Sequence, residues 1–346
     1  MENKNKNNVD LEVNNSSNAK EMVLDYYMDT EFPSMSRIYD FSSRRTASCY
    51  LDTTAVRLPN AIYGASSISD TRLLSEEYLL NFKKSSIDIG GGIGIFEYSK
   101  FEARAAISLL DKTEANIGRR LKSIKLPDPQ KIELSFDTLI SKRRSRSSMS
   151  GEKLSIEELS TLLYYGDGVT GSKQVVHPER DTSWPSQSLG EPDPCYLRTA
   201  PSAGGLYPID LYLLLRNVDQ LEDGLYRYRP NSHSLTCTKK FSKEDWAKHE
   251  KNAESWGANF ESSKINVAIF YVYSLYRNSR KYGDLGLAFG FMEVGMIAQN
   301  IHLAAEALNL ASSCSGGGSK EMCEKLLGVD GMSDHCLHQT LIGMRS

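Results

Sequence analysis

A chain of 346 residues, 40% hydrophobic and 25% charged, has the composition of an ordinary globular protein. It is long enough for one large domain, or for a domain of about 200 residues with a companion. Its net charge of −3 gives no general drive toward nucleic acid or an anionic membrane. No apolar run reaches the roughly 18 residues needed to span a bilayer.

The opening MENKNKNNVDLEVNNSSNAKE is rich in Asn and Lys and lacks an apolar h-region. It does not read as a secretory signal, residues 1–25 read as disordered, and the cytoplasm is the expected location. Residues 26–126 form an N-terminal region of mixed type, a candidate docking or peptide-binding element. It includes a helical reading over 101–124 and a glycine-rich segment, IDIGGGIGIFEY, at 87–98. That segment lacks the Lys-Ser/Thr of a P-loop and the spacing of a dinucleotide fold, so it reads as a bulged apolar turn without a ligand. Pro127 and Pro129 then mark an extended linker.

From residue 131 to 346 the pattern predicts one α+β domain. Ser155 and Glu158 form a capping box ahead of a helix carrying Leu159, Leu162 and Leu163. A polar stretch from Ser172 to Leu197 reads as a long loop. IDLYLLLRN and GLYRYRP read as a hairpin, and INVAIFYVYSLY, apolar throughout, as a central strand. Leu285–Leu310 is a long helix, apolar on most faces, that must be buried inside the domain or across a subunit interface. Its polar residues Glu293, Gln299 and Asn300 then need partners.

The six cysteines include no C-x-x-C pair and read as free thiols. Cys323, His335, Cys336 and His338 fit no familiar zinc spacing, so no metal site is expected.

Three separated segments could share one ligand. SKRRSRSS places Lys142, Arg143, Arg144 and Arg146 beside hydroxyls, a set that suits phosphate. RTAPSAGGLYPIDLYL puts small residues and Ser202 just before a strand, where a flat aromatic ligand could lie against the backbone. SSCSGGGSKE supplies Gly316, Gly317 and Gly318, whose freedom at positive φ would let amide N–H groups face an acceptor.

In order and wording these segments, with RKYGD, EVGMIAQNIHLAAEALNL, LLGVDG and the closing LIGMR, resemble the nitroreductase superfamily. More narrowly they resemble its SagB-type peptide dehydrogenases, the azoline oxidases of thiazole- and oxazole-modified peptides. The resemblance runs from about Lys131 to Arg345, and extends weakly to SRIYDFSSRRT at 36–46. It implies a central, mostly antiparallel sheet flanked by helices. It also implies a long helix buried in a homodimer, with one FMN at each subunit interface.

On the matching positions Arg143, Arg144 and Ser145 would hold the phosphate and ribityl chain, and Arg345 would close on the phosphate. Pro201, Ser202, Ala203 and Gly204 would line the isoalloxazine ring, Ser315, Gly316 and Gly317 would offer backbone amides near its N5, and Gln299 would complete the set. The implied partners are a cyclodehydratase and its precursor peptide, with no nucleic acid and no membrane.

The chain departs from the pattern in three places. Ser147 stands where an arginine is usual, with Arg146 beside it. The stretch between Thr170 and Arg198 is long, and Cys314 and Ser315 replace a proline and an aliphatic residue.

The resemblance also implies that Lys281 and Tyr282 are the catalytic pair. Turning an azoline into an azole removes a proton and a hydride, so with FMN taking the hydride the protein must supply a base. Desolvation, or the charges of Arg277 and Arg280, would favour the neutral amine, and Tyr282 would orient the lysine or the ring. A nitro- or quinone reductase fed by NAD(P)H, or a non-catalytic scaffold of a peptide-modifying complex, are the alternatives. The pair would matter little to either.

Overall fold

The computed structural model describes Tyr78 and residues 123–173, 195–251, 260–316 and 319–346. The chain divides into two compact units, Met1–Lys83 and Lys84–Ser346, and every element below belongs to the second. The expectations for residues 1–25, the glycine segment at 87–98 and most of the helical reading over 101–124 lie outside the described residues.

Among the described residues the core is a seven-stranded sheet in which every pairing is antiparallel. Its strands are β1 (Ser123–Lys125), β4 (Ile209–Leu215), β5 (Gly224–Arg229), β6 (Ser234–Lys240), β7 (Val267–Ser274), β8 (Leu310–Ser315) and β9 (Asp334–Met344). Their order across the sheet is β1-β6-β5-β4-β7-β9-β8. Two further strands, β2 (Val169–Lys173) and β3 (Cys195–Arg198), form a separate ribbon.

Among residues 123–346 that the structure describes, six α-helices cover the faces and ends: α1 (Phe136–Lys142), α2 (Ile156–Asp167), α3 (Lys243–Lys251), α4 (Leu275–Tyr282), α5 (Leu285–Ala307) and α6 (Lys320–Leu327). This is the expected α+β architecture, a mostly antiparallel sheet with flanking helices and one long helix.

β7 shows why the sheet sits where it does. All of its residues but Ser274 are buried, and they serve two cores by alternation. Ile269, Tyr271 and Tyr273 join Leu159 and Leu163 of α2 and Ile297 and Ile301 of α5. Ala268, Phe270 and Val272 join Trp246, Leu327 and Leu341 on the opposite face. A strand buried on both sides carries apolar residues at every position. Fully burying each large side chain contributes about 1.5–3 kcal/mol.

Local sequence fixes the helix ends. The Ser155 hydroxyl accepts from the Glu158 backbone N–H at 3.2 Å, and the Glu158 carboxylate accepts from the Ser155 N–H at 2.9 Å, the predicted capping box. Gly283, at φ 56°, ends α4 and lets α5 begin two residues later.

The structure revises three expectations. Ser123 and Ile124, read as the end of a helix, are strand, because they pair with Thr236 and Leu235 of β6. The linker after them is extended but pinned: the Gln130 N–H donates to Thr161 at 2.9 Å and the Ile132 N–H to Tyr165 at 3.3 Å. The polar stretch from Ser172 to Leu197 is loop only between its ends, since Ser172 pairs with Tyr196 and Lys173 with Cys195.

Along the long helix, buried and exposed positions alternate by face. Val294, Ile297, Ala298 and Ile301 are buried, whereas Phe291, Met292 and Met296 are 53%, 54% and 40% exposed. The exposed positions recur at helical spacing and form one apolar stripe. No helix among the described residues is long and apolar enough to cross a membrane.

Candidate active site

The register of the sheet brings distant segments to one edge. Ile209 at the start of β4 pairs with Tyr273, and Ser274 at the end of β7 pairs with Asp334 at the start of β9. Ser315 at the end of β8 pairs with Gln339. The Ser274 N–H donates to the Pro208 carbonyl at 2.8 Å, which ties the loop before β4 to the helix after β7.

On that edge the predicted pair and the predicted ring loop meet. Gly204 has φ +65°, and a Cβ built on it would stand 2.6 Å from the Tyr282 hydroxyl and 2.9 Å from Lys281 Nζ. The absence of a side chain at Gly204 is therefore what lets both polar tips reach the turn. Lys281 Nζ also lies over the Tyr282 ring, 5.3 Å from its centroid, and that ring packs edge-on against Phe289. Burial raises the Tyr282 pKa, so its phenol stays a hydrogen-bond donor at neutral pH.

The corner carrying the pair is held by buried Asn278. It accepts from the Tyr273 hydroxyl at 2.6 Å and donates to the Gly286 carbonyl at 2.8 Å. Arg277, read from sequence as a positive neighbour for Lys281, is paired with Asp210 and donates to the Tyr207 carbonyl at 2.7 Å. Its charge is balanced locally, since Asp210 is held ionised, well below the ordinary carboxylate value, by Arg227 and Arg277 against the opposing effect of burial.

Pro201, Ser202 and Ala203 precede Gly204 in the same loop. The Ser202 hydroxyl accepts from the Tyr207 N–H at 2.9 Å and interacts with the Glu293 carboxyl of α5. Tyr207 adopts φ 47°, its hydroxyl accepts from the Arg198 N–H at 3.2 Å, and the Arg198 guanidinium lies 4.5 Å from its ring centre.

A second cluster lies at the other end of α5. Glu306 accepts from both Arg146 and Arg345, and Arg345 also reaches the Leu310 carbonyl at 3.2 Å. The exposed Arg144 folds back onto the Ser141 and Arg143 carbonyls, at 2.9 Å and 2.7 Å. Ser145 is exposed beside them. The Arg143 guanidinium has no partner among the described residues, and its charge acts on His302 and Cys314.

His302 is pushed down to about 4, first by burial and then by Arg143, so it is neutral. It bridges Ser312 at 2.8 Å and the Cys314 thiol at 3.2 Å. Ser315 contacts Gln339 at 3.2 Å, Gly316 follows it, and Gly317 lies outside the described residues. Gln299 is exposed on the apolar stripe between the two clusters.

The predicted residues thus fall into two groups within one chain. Glu293 and Glu306, which mark them along α5, are 13 positions apart, about 20 Å of helix. Sequence reading missed Glu306, Tyr207, His302 and the role of Glu293. The available signal was acidic residues set into an otherwise apolar helix, which buried positions tolerate only when partnered.

Residues 140–344 match the nitroreductase family. The chain belongs to that family. It is similar to a Methanocaldococcus jannaschii protein named as a nitroreductase, 32% identical over 193 residues that cover 56% of this chain and 83% of that one. Among solved structures it is similar to a Ralstonia eutropha protein titled as a nitroreductase, at 20% identity and a TM-score of 0.48, over 65% of this chain and 90% of that one. It is also similar to the Escherichia coli microcin synthetase McbBCD complex with truncated pro-MccB17 bound, at 18% identity and a TM-score of 0.47, over 96% and 95% of the two chains.

This nitroreductase-family chain is an oxidoreductase and its cofactor is FMN. Its residues fit that group. Among the described residues Arg143 offers an unpartnered cation and Arg345 keeps a buried Nε without an acceptor, and Gly204, at φ +65°, leaves bare backbone where a flat ring needs room.

Proposed function

We propose that this chain is a dehydrogenase that oxidises azoline rings in a ribosomally made precursor peptide to thiazoles or oxazoles. The observation that carries this reading is the convergence of Lys281 Nζ and Tyr282 Oη on Gly204. A reductase fed by NAD(P)H has no evident use for a lysine at that point. An azoline oxidase needs a base beside the flavin ring.

FMN held by these residues would supply the hydride acceptor, with O2 as the final oxidant. Lys281 takes the proton from the ring carbon. In the free protein the Lys281 amine lies over the Tyr282 ring face. A planar ligand covering the pair would exclude water and favour the neutral amine. Tyr282, still protonated, donates a hydrogen bond that orients the amine or the substrate ring.

The holding residues are Arg143, Arg144, Ser145 and Arg345 at the phosphate end. Pro201 to Gly204 serve the ring, and the Ser315–Gly316 turn and Gln299 lie between. Because the two groups lie at opposite ends of α5, the complete site takes one group from each of two copies packed through the stripe of Phe291, Met292 and Met296. The partners are a second copy, a cyclodehydratase that makes the azolines, and the precursor peptide, which residues 26–126 help to dock.

The test is the intact mass of a cyclodehydrated precursor peptide after incubation with the protein. A loss of about 2 Da per ring is expected, and Lys281→Ala should abolish it while keeping the flavin absorbance. Full oxidation by Lys281→Ala would remove the base assignment. A flavin-loaded protein that leaves the peptide mass unchanged but consumes NAD(P)H with a quinone would replace the whole reading with the reductase.

A further inference from the structure

Glu293 is a carboxyl group buried in the middle of an apolar helix face, 3% exposed, and nothing in the proposed chemistry requires it. Its environment is specific. The Ser202 hydroxyl and the Ile209 backbone N–H engage the carboxyl, while Oε1 finds no partner.

The cation that acts on Glu293, Arg198, is already committed. Arg198 sits 2.7 Å from Asp167 Oδ2, in an ion pair whose side chains are 9% and 1% exposed. Asp167 is thus the like-charged neighbour of Glu293 and Arg198 the opposite one, with Asp210, Arg227 and Arg277 beyond them.

We propose that Glu293 is a positioning residue of the flavin site. Its neutral carboxyl anchors the Ser202 hydroxyl and so sets the turn at Ser202–Gly204 against Lys281 and Tyr282. The chain of contacts is continuous. Tyr207 N–H donates to Ser202, Ser202 engages Glu293, and two residues after Ser202 the bare Gly204 carries the tips of the catalytic pair. The Ser202 hydroxyl joins this loop of small residues to the helix beneath. Burial, with the Asp167 charge adding to it, raises Glu293 to about 8, so it is a neutral acid at physiological pH. Ionisation above that value would set a second negative charge beside Asp167 and disturb the turn.

This inference rests on FMN binding at the turn but not on the azoline reading, so its test uses no peptide. Purified holoprotein is diluted at a series of pH values from 6 to 9, and released FMN is read by its fluorescence. Wild type should lose affinity as pH rises through about 8. Glu293→Gln keeps the neutral hydrogen-bonding shape and should hold wild-type affinity at pH 7 while flattening the alkaline loss. Glu293→Ala and Ser202→Ala should each weaken binding at pH 7 by about tenfold, the effect of one hydrogen bond, and the double variant should be no worse than either alone.

Wild-type FMN affinity in Glu293→Ala at every pH overturns the proposal. So does an alkaline loss unchanged in Glu293→Gln, which would assign the titration to another group such as Asp167. Additive losses in the double variant would also overturn it, because they would show two independent roles.

Discussion

Gly204→Ala separates the geometry of the site from ordinary backbone strain. At φ +65° an added Cβ costs roughly 1–2 kcal/mol in any protein. Here it would also stand 2.6 Å from the Tyr282 hydroxyl and 2.9 Å from Lys281 Nζ. Restoring an ordinary contact of about 3.5 Å means moving the tyrosine tip by about 1 Å. A displacement of that size at reacting groups is worth about 100-fold in rate.

Gly205→Ala is the built-in control. It has the same φ of +65°, yet its Cβ would meet nothing within 4 Å. Both variants should therefore lose a few degrees of Tm, and only Gly204→Ala should lose the rate of azole formation, read by peptide mass under single-turnover conditions. FMN content, read by absorbance, checks that the cofactor is present in both. Equal rates in the two variants, or a Gly204→Ala enzyme as fast as wild type, would refute the convergence argument.

Two further outcomes follow from the same structure. Met292→Glu combined with Met296→Glu places charge on the exposed stripe without touching the core; if the proposed dimer forms through that stripe, sedimentation should show a dimer for wild type and a monomer for the double variant, with FMN lost too, and an equal mass for both would leave the stripe without its assigned role. Glu293 and Asp167 each give up their proton at a higher pH in the fold than in the unfolded chain, with values raised from 4.5 to about 8 and from 3.8 to about 6. Their contribution to stability is therefore full below about 4 and is lost as pH rises, by about 6 for Asp167 and by about 8 for Glu293, levelling off above; the loss is about 5 kcal/mol at most for Glu293. Urea midpoints at pH 5, 7 and 9 should decline in wild type and decline less in Glu293→Gln; a flat wild-type series would contradict the burial of a neutral acid.

Much of the fold was legible because its signals are local. The capping box at Ser155 and Glu158 needs four residues to be recognised, and the unbroken apolar run of β7 needs eight. β9 was not legible beyond its closing residues, because buried Gln339 and Thr340 look like surface until Ser315 and Tyr271 supply their hydrogen bonds. β3 was hidden for a similar reason, since its pairing partner lies more than 20 residues upstream across a polar stretch.

The site divides the same way. Lys281 and Tyr282 stood out only through the wording around them. Their meeting with Gly204 depends on the β4–β7 register, which no single segment encodes. Glu306 was invisible because its two arginines come from either side of it in the chain and meet only after β8 and β9 have paired.

The helix α5 touches the ring turn through Glu293, Cys314 through His302, and the basic cluster through Glu306. A single α-helical rod therefore works as a spacer bar, fixing the distance between these points as one mechanical dimension. It can be altered only in steps of about 1.5 Å, each with a rotation of about 100°. One residue inserted between Glu293 and His302 would swing one end of the bar away from its contacts while leaving the other in place. Substitutions can tune either end alone, but the span between them can change only by replacing the bar.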